Sequence, residues 1–138
     1  EHLVPLGQAR TEREGEDVTL VAYGAMVKVA AAAAELLAAD GVSAHVLDLR
    51  TLRPLDEDAL LEAVGRTGRA VIVQEAPRTA GFAAEIAALI AERCLFDLQA
   101  PVERVTGYDV AFPYWRLEHH YMPSAERVAA AARRTWAG

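Results

Sequence analysis

Side chains that could do chemistry follow the apolar segments of this chain rather than lying within them. Tyr23 and Gly24 end one apolar segment, Glu75 ends another, and Tyr108 with Asp109 ends a third. In an open α/β sheet the ligand crevice lies outside the carboxyl ends of the strands, so these residues, together with Arg50, are the candidates for contact with a ligand. These residues nevertheless form no recognisable catalytic set. We therefore expect no catalytic residue in the 138 residues.

Motifs for nucleotides, nucleophiles and metals are also missing. The loop "YGAMVKVA" lacks GxGxxG, and neither GxxxxGKS/T nor GxSxG occurs in the chain. The adjacent histidines His119 and His120 in "EHHY" are poorly placed to chelate one ion from an extended segment, and no HExxH or CxxC accompanies them. We expect no cofactor-binding or metal-binding residue, and we interpret the single Cys94 as a buried apolar thiol.

One stretch has the chemistry of an anion site. In "EAPRTAGFAAEI", Arg78, Thr79 and Gly81 stand just before a predicted helix, whose free N–H groups and positive dipole end could hold an anion. The alternative interpretation is a turn that glycine permits, with Thr79 near the helix cap. Both interpretations stay open at this point.

The elements that must position these residues alternate between strand and helix. Apolar, β-branched strands are predicted at residues 17–24, 43–50, 69–76 and 101–108, each separated from the next by a helical segment. Strands separated in this way need crossover connections, so the chain should form one open α/β domain with helices on both faces of a parallel sheet. The first strand is uninterrupted in its apolar character, which predicts a central position.

Helix boundaries and faces follow from the same patterns. Asp56 and Ser124 are predicted N-caps, and Gly41 is the predicted stop of the first helix. In that helix, the residues that share the predicted core face are Val27, Ala31, Ala34 and Leu37.

Charge and composition exclude several kinds of partner. The net charge is -6 and the pI is near 5.2, whereas nucleic-acid binding needs a clustered basic face. No apolar run is long enough to cross a membrane, and residues 1–17 have no apolar core of the kind found in signal peptides. We expect a soluble protein that binds neither nucleic acid nor membrane.

Two further segments point to contacts with other proteins. "GYDVAFPYW" clusters aromatic residues in a loop too short to form its own core, which is typical of a partner surface. "DLRTLRPLD", residues 48–56, joins a strand to a helix; Pro54 fixes φ there, and Arg50 and Arg53 could pair with carboxylates across a boundary or could simply be solvated.

Six motifs, in order, resemble a known family. They are "VPLGQA", "REGEDVTLVAYGAMV", "DLRTLRPLD", "TGRAVIVQEA", "GFAAEIAALIAE" and "APVERVTGYDVAFPY". Together they resemble the C-terminal domain of the beta subunit of thiamine diphosphate-dependent 2-oxoacid dehydrogenases, over nearly all of residues 1–138. The resemblance implies a three-layer α/β/α sandwich with a mostly parallel five-stranded sheet and one antiparallel strand. The fifth strand should come from "VPLGQARTER" or from the loop near Tyr121.

The resemblance also implies a role in assembly. The family's thiamine diphosphate and magnesium are held by the alpha subunit and by the beta subunit's N-terminal pyrimidine-binding domain, so these 138 residues alone should be inert. Implied partners are an alpha subunit, a second beta subunit and a lipoyl acyltransferase core, in the cytoplasm or the mitochondrial matrix, and the chain alone should form a homodimer or self-associate weakly. The implied subunit interface contains Arg50, Arg53, Tyr108, Asp109, Phe112, Tyr114 and Trp115.

The resemblance also has implications for acyltransferase docking and for the substrate. Glu103 matches one acidic position that the family uses to dock the acyltransferase, and Gln99 stands where the other acidic residue is usual. The region "ERCLFDLQAPVERVTGYDVAFPY" is somewhat more similar to branched-chain than to pyruvate members. The alternatives are a stand-alone α/β module for an anionic effector and the equivalent domain of a transketolase or deoxyxylulose phosphate synthase.

Overall fold

The computed structural model describes residues 3–136 and contains a five-stranded sheet in the order β1-β3-β2-β4-β5. The strands are β1 (Arg10–Arg13), β2 (Val18–Ala22), β3 (Ala44–Asp48), β4 (Ala70–Pro77) and β5 (Glu103–Gly107). β1 pairs antiparallel with β3, and all other neighbouring strands are parallel. The predicted α/β class, with one antiparallel strand in a mostly parallel sheet, is confirmed.

Helices cover both faces of the sheet, which makes three layers. The helices are α1 (Met26–Ala39), α2 (Glu57–Thr67), α3 (Phe82–Arg93), α4 (Glu118–Tyr121) and α5 (Ala125–Arg134). α1 and α5 pack on one face and α2 and α3 on the other, so the sheet separates two apolar clusters. Among residues 3–136, no helix is long and apolar enough to cross a membrane.

β2 occupies the centre of the sheet, as its uninterrupted apolar sequence predicts. All five of its residues are buried, because β3 and β4 flank it and helices cover both of its faces. The one polar side chain, Thr19, is satisfied inside the core, where its hydroxyl donates to the carbonyl of Ala63 at 2.9 Å.

The fifth strand comes from the "VPLGQARTER" end, one of the two places expected. β1 lacks a readable strand pattern because its residues are mostly exposed and charged. The turn that follows it approaches β3 closely, since a Cβ on Gly15 would overlap the backbone of Ala44 and His45. The amides of Glu16 and Asp17 then donate to the carbonyl of Ser43 at 3.1 and 2.9 Å.

The helix termini agree with the sequence, one helix face agrees in part, and one segment differs. Asp56 caps α2 and Ser124 caps α5, each accepting from a backbone amide at 3.2 Å. In α1 the predicted core face is confirmed at Ala34 and Leu37, which are fully buried, and Val27 packs half-buried against the same cluster. Ala31 is only half-buried, and the buried face is completed by Met26, Ala30 and Ala33. The segment "EHHY" is not extended but forms the short helix α4.

Candidate functional site

The place where a ligand would be expected in this topology lies between β2 and β4. These neighbouring strands send the chain to opposite faces, into α1 and α3 respectively, and sheets of this kind bind ligands in the crevice at the carboxyl ends of such a pair. We call this place the switch-point crevice and define it by Tyr23, Gln74 and Ala83.

Gln74 fills the switch-point crevice. Its side chain is fully buried, and its Oε1 accepts from the Tyr23 hydroxyl at 3.0 Å and from the Ala83 amide at 2.7 Å. Its Nε2 donates to the carbonyls of Pro77 at 2.8 Å and Ala76 at 3.3 Å. A backbone amide can only donate and a carbonyl can only accept, so these partners fix the orientation of the side-chain amide. The Gln74 side chain therefore has no unpaired polar atom to offer a ligand in this crevice.

Tyr23 supports this closed arrangement. Burial, and secondarily the negative charge of Glu75, raise the pKa of its phenol. The hydroxyl therefore stays protonated at neutral pH and acts as a donor to Gln74 rather than as a base. The sequence placed Tyr23 and Glu75 at this edge but gave no indication of the role of Gln74. From sequence alone, Gln74 looks like the polar residue that ends a buried strand.

The predicted anion residues lie at the start of α3, and the donors of one of them are occupied. The Thr79 amide donates to the Asp109 carboxylate at 2.9 Å, and the Thr79 hydroxyl donates to its other oxygen at 2.7 Å. These two bonds from Thr79 are the main cause that lowers the pKa of Asp109. The anion that Thr79 holds is thus a carboxylate of the chain itself.

The other two predicted anion residues have different roles. The Arg78 guanidinium donates to the carbonyl of Arg104 at 3.2 Å, and its charge helps to lower the pKa of Asp109. Gly81 is the N-cap of α3, where an added Cβ would overlap the Gln74 amide and lie 2.5 Å from the Pro77 carbonyl oxygen. Gly81 is therefore explained by close packing against the switch-point crevice.

The joint at residues 48–56 ties the N-terminal segment to the sheet. Asp56 accepts from the Ala9 amide at 2.8 Å as well as capping α2, and Thr51 accepts from the Gly7 amide at 3.1 Å. Arg50 adopts a left-handed backbone with φ of 57° while its amide donates to Asp48 at 2.9 Å. Within residues 3–136, neither Arg50 nor Arg53 forms an ion pair. Both guanidinium groups remain candidates for an external carboxylate.

The aromatic loop after β5 is anchored on one side and exposed on the other. Tyr108 and Phe112 pack edge-to-face on the buried Tyr121, with ring centroids 6.4 and 5.0 Å apart. Tyr114 and Trp115 stay 90% and 72% exposed. A shallow apolar cleft of about 310 Å³ runs beside the anchored rings. This geometry suits a contact surface, because part of the loop is held rigid while large rings remain available.

The two predicted docking residues lie where the chain enters β5. Glu103 forms a two-bond ion pair with Arg134 at 3.0 and 2.9 Å, and the hydrogen bond from Arg134 is the main cause that lowers the pKa of Glu103. Gln99 is exposed, and its amide donates to the Gly68 carbonyl at 2.8 Å. Glu103 is therefore charged but already has a partner within the chain.

The fold and these surfaces define a three-layer α/β domain whose ligand crevice is closed by its own side chains. Residues 7–128 match the family model described as the transketolase C-terminal domain, and the chain belongs to that family. The resemblance drawn from the six motifs is confirmed at this level.

The curated relatives are beta subunits of two kinds of dehydrogenase. The 2-oxoisovalerate dehydrogenase subunit beta of Bacillus subtilis is 44% identical over 135 residues, covering 96% of this chain and 41% of the relative. The pyruvate dehydrogenase E1 component subunit beta of Staphylococcus epidermidis is also 44% identical, covering 98% of this chain and 42% of the relative. The chain thus spans about two fifths of the length of these relatives. Because both identities are 44%, this chain is equally similar to a 2-oxoisovalerate and to a pyruvate dehydrogenase subunit.

Solved structures agree on the fold. A split-gene transketolase, described as an inactive beta4 tetramer, superposes with a TM-score of 0.84 at 31% identity over 97% of this chain and 43% of that one. A mutant transketolase from Pichia stipitis reaches a TM-score of 0.61 at 18% identity over 95% of this chain and 18% of that one, which bears on the fold alone. The transketolase C-terminal architecture expected from the resemblance is confirmed.

Proposed function

We propose that the chain is the C-terminal assembly domain of a 2-oxoacid dehydrogenase beta subunit. The enzyme would decarboxylate pyruvate or a branched-chain 2-oxoacid oxidatively and transfer the acyl group to lipoyl groups. The observation that carries the proposal is 44% identity to beta subunits of both kinds over 135 residues. Such a complex belongs in the cytoplasm, or in the mitochondrial matrix of a eukaryote.

Residues 3–136 lack the ligand set expected of a thiamine diphosphate and magnesium site. Magnesium takes oxygen ligands at octahedral positions, usually from carboxylates and phosphates. Among residues 3–136, no group of three or more histidine, cysteine, aspartate or glutamate side chains is arranged to hold a metal ion. The switch-point crevice is filled by Gln74. We therefore place the cofactor in other parts of the complex and assign this domain a role in assembly.

The aromatic loop supports that role. Its exposed rings, Tyr114 and Trp115, are suited to bury a large area with few rotatable bonds against an alpha subunit or a second beta subunit. Asp109 and Arg50 lie at the same end of the sheet, where the strands terminate. Self-association of the chain alone follows if each copy offers this surface to the other around a two-fold axis.

The acyltransferase docking role of Gln99 and Glu103 is part of the same proposal. A basic partner would have to share Glu103 with Arg134, since both Glu103 oxygens accept from that guanidinium. The exchange of one arginine partner for another costs little at an exposed site. Gln99 would contribute hydrogen bonds without charge.

A chimera tests the proposed function. The matching residues of the Bacillus subtilis 2-oxoisovalerate and pyruvate dehydrogenase beta subunits, each 44% identical, are replaced with this chain. Both chimeras are then reconstituted with their own alpha subunits. We expect lipoyl-acylating activity in at least one, and a larger share of native activity in the branched-chain chimera. Folded chimeras that assemble with neither alpha subunit would contradict the proposal. They would favour the equivalent domain of a transketolase, which the 31% identity to the split-gene protein supports.

Sedimentation velocity over a concentration series tests the contact surface. We expect concentration-dependent association of the chain that weakens when Tyr114 and Trp115 are both changed to alanine. Phe96→Ala is the matched control, because Phe96 is fully exposed and lies in a different loop, after α3. A single monomeric species up to about 1 mM, the range in which only interactions weaker than about -4 kcal/mol escape detection, would reject self-association.

A further inference from the structure

A cleft of about 250 Å³ opens beside the edge strand β5. We call it the β5 cleft, and its lining residues are Arg78, Arg104, Thr106, Gly107, Tyr108, Asp109 and Arg127. Its three arginines come from three different elements, the loop after β4, strand β5 and helix α5. They face one carboxylate in a chain whose net charge is -6, so the charge of the lining is locally reversed to +2.

Arg127 is held firmly without being neutralised. Its guanidinium donates to the carbonyls of Thr106 at 2.8 Å and Met122 at 3.3 Å, and it lies 4.8 Å from the centre of the Tyr108 ring. Carbonyl oxygens and an aromatic face orient a guanidinium but leave its full positive charge in place. Since arginine carries five N–H donors, donors remain for a ligand.

Arg78 and Arg104 donate fewer hydrogen bonds than Arg127, although the charge of Arg78 acts on both Asp109 and Glu103. Arg78 donates one bond, to the carbonyl of Arg104 at 3.2 Å, and the Arg104 side chain donates none within residues 3–136. None of the three cleft arginines has an ion-pair partner in the described part of the chain. The exposed arginines of α5 differ, because Arg133 pairs with Asp40 and Arg134 pairs with Glu103.

The one carboxylate of the cleft is engaged elsewhere. Both oxygens of Asp109 accept from Thr79, which holds the group in its charged form but directs its hydrogen-bonding capacity toward the loop after β4. The charge of Arg78 also contributes to the lowered pKa of Asp109, but the carboxylate forms no ion pair with a cleft arginine, so it offsets one positive charge without taking up guanidinium donors.

We propose that the β5 cleft binds a small, soluble phosphate dianion, either inorganic phosphate or the phosphate group of a small monoester. The planar guanidinium fork matches phosphate oxygens in two-bond geometry. A charge of about -1.5 to -2 on a phosphate monoester complements the +2 of the lining. The volume, about 250 Å³, is below that of pockets for drug-sized molecules and suits a ligand of this size. The proposal uses only residues of this chain and does not depend on the assembly function.

Calorimetry and amide NMR titrations of the full chain with inorganic phosphate and with methyl phosphate test this site. We expect saturable binding with shifts at residues 104–109 and around Arg127. Arg104→Gln should weaken it about tenfold or more, the usual effect of losing a charge-assisted hydrogen bond. Asp109→Asn should tighten binding several-fold by removing the repulsive charge. Arg133→Gln, on the same helix as Arg127 but paired with Asp40, is the control and should leave the affinity within about twofold.

The charge of the ligand gives a second readout. Binding of methyl phosphate should strengthen as pH rises through its second pKa, near 6, whereas binding of sulfate, which keeps both charges, should stay constant. Three results would overturn the proposal: no saturable binding, equal affinity in wild type and Arg104→Gln, or shifts centred away from the β5 cleft. Equal weakening by Arg133→Gln would also overturn it, because that result indicates non-specific attraction to arginine.

Discussion

The switch-point crevice and the β5 cleft lie toward the same end of the sheet and treat their polar groups in opposite ways. In the crevice, Gln74 satisfies two donors and two acceptors of its neighbours. In the β5 cleft, three arginines face one carboxylate that is bound elsewhere. The strand order predicts a ligand site at the switch-point crevice. The unpaired arginine side chains instead favour a ligand site at the β5 cleft. A position in a fold therefore becomes a site only where the chain leaves its own polar groups unmatched.

The largest effect should come from removing the group that closes the crevice. Gln74→Leu keeps the approximate volume but leaves the buried Ala83 amide and the Pro77 carbonyl without a partner. At about 1–3 kcal/mol for the buried amide and about 1 kcal/mol for the part-buried carbonyl, we expect a loss of about 2–4 kcal/mol in the free energy of unfolding, measured by urea denaturation. The exposed Gln99→Leu is the control and should change stability little. A similar loss in both variants would contradict our assignment of Gln74.

A methyl group at the mouth of the crevice should have the next largest effect. Gly81→Ala places a Cβ against the Gln74 amide and the Pro77 carbonyl, so we expect a loss of about 1–3 kcal/mol from overpacking. Gly65→Ala is the matched control inside α2, where the nearest atom to the new Cβ lies 3.7 Å away. That change should stabilise the fold by up to about 1 kcal/mol. Thermal denaturation should therefore show shifts of opposite sign.

The joint at residues 48–56 resembles the switch-point crevice, because its polar groups are paired within the chain. Asp56→Ala removes the cap of α2 and the acceptor of the Ala9 amide, so we expect a loss of about 1–2 kcal/mol. Asp58→Ala, in the first turn of the same helix and exposed, should cost much less because its side chain caps no backbone amide. If hydrogen exchange of the Ala9 amide is no faster in Asp56→Ala, then the contact between the joint and the N-terminal segment is wrong.

The smallest expected effect on stability concerns Asp109 in the β5 cleft, and it depends on pH. The pKa of Asp109 is lowered in the folded chain, chiefly by the Thr79 amide. Its contribution to stability is therefore present above the pKa of an unfolded aspartate and is lost as the pH falls toward the folded value. Carbon NMR should show Asp109 titrating below ordinary aspartates, and Thr79→Val should raise that midpoint. An unchanged midpoint in this variant would show that the Thr79 hydroxyl does not contribute, because valine keeps the backbone amide that donates to Asp109.

Local pattern was enough to predict most of the fold. β2 is apolar along its whole length because helices cover both of its faces, and the caps Asp56 and Ser124 act through backbone amides three residues away. β1 could not be read from its own residues, since an exposed edge strand needs no apolar alternation; only the family resemblance indicated a fifth strand.

The polar regions were harder to predict because they depend on contacts distant in sequence. The hydrogen-bond partners of Gln74 are supplied by the loop that runs from Pro77 to Ala83, and no sequence motif marks that loop. Arg104 and Arg127 meet only because α5 packs back against β5. Thr79 and Asp109 are 30 residues apart, so the sequence could identify Thr79 as a donor but not its acceptor. The exposure of the aromatic loop could be predicted from sequence, because so short a loop has too few neighbours to bury its rings.

The two edges of the sheet have unequal capacity to recruit another strand. An edge strand presents unpaired backbone groups that template aggregation unless it is short, charged or irregular. β1 has all three protections: it has four residues, of which Arg10, Glu12 and Arg13 are charged, and its register with β3 shifts between Thr11 and Arg13. Growth of the sheet into fibrils or swapped dimers is thereby disfavoured at β1. Any strand added from another molecule should enter along β5 instead.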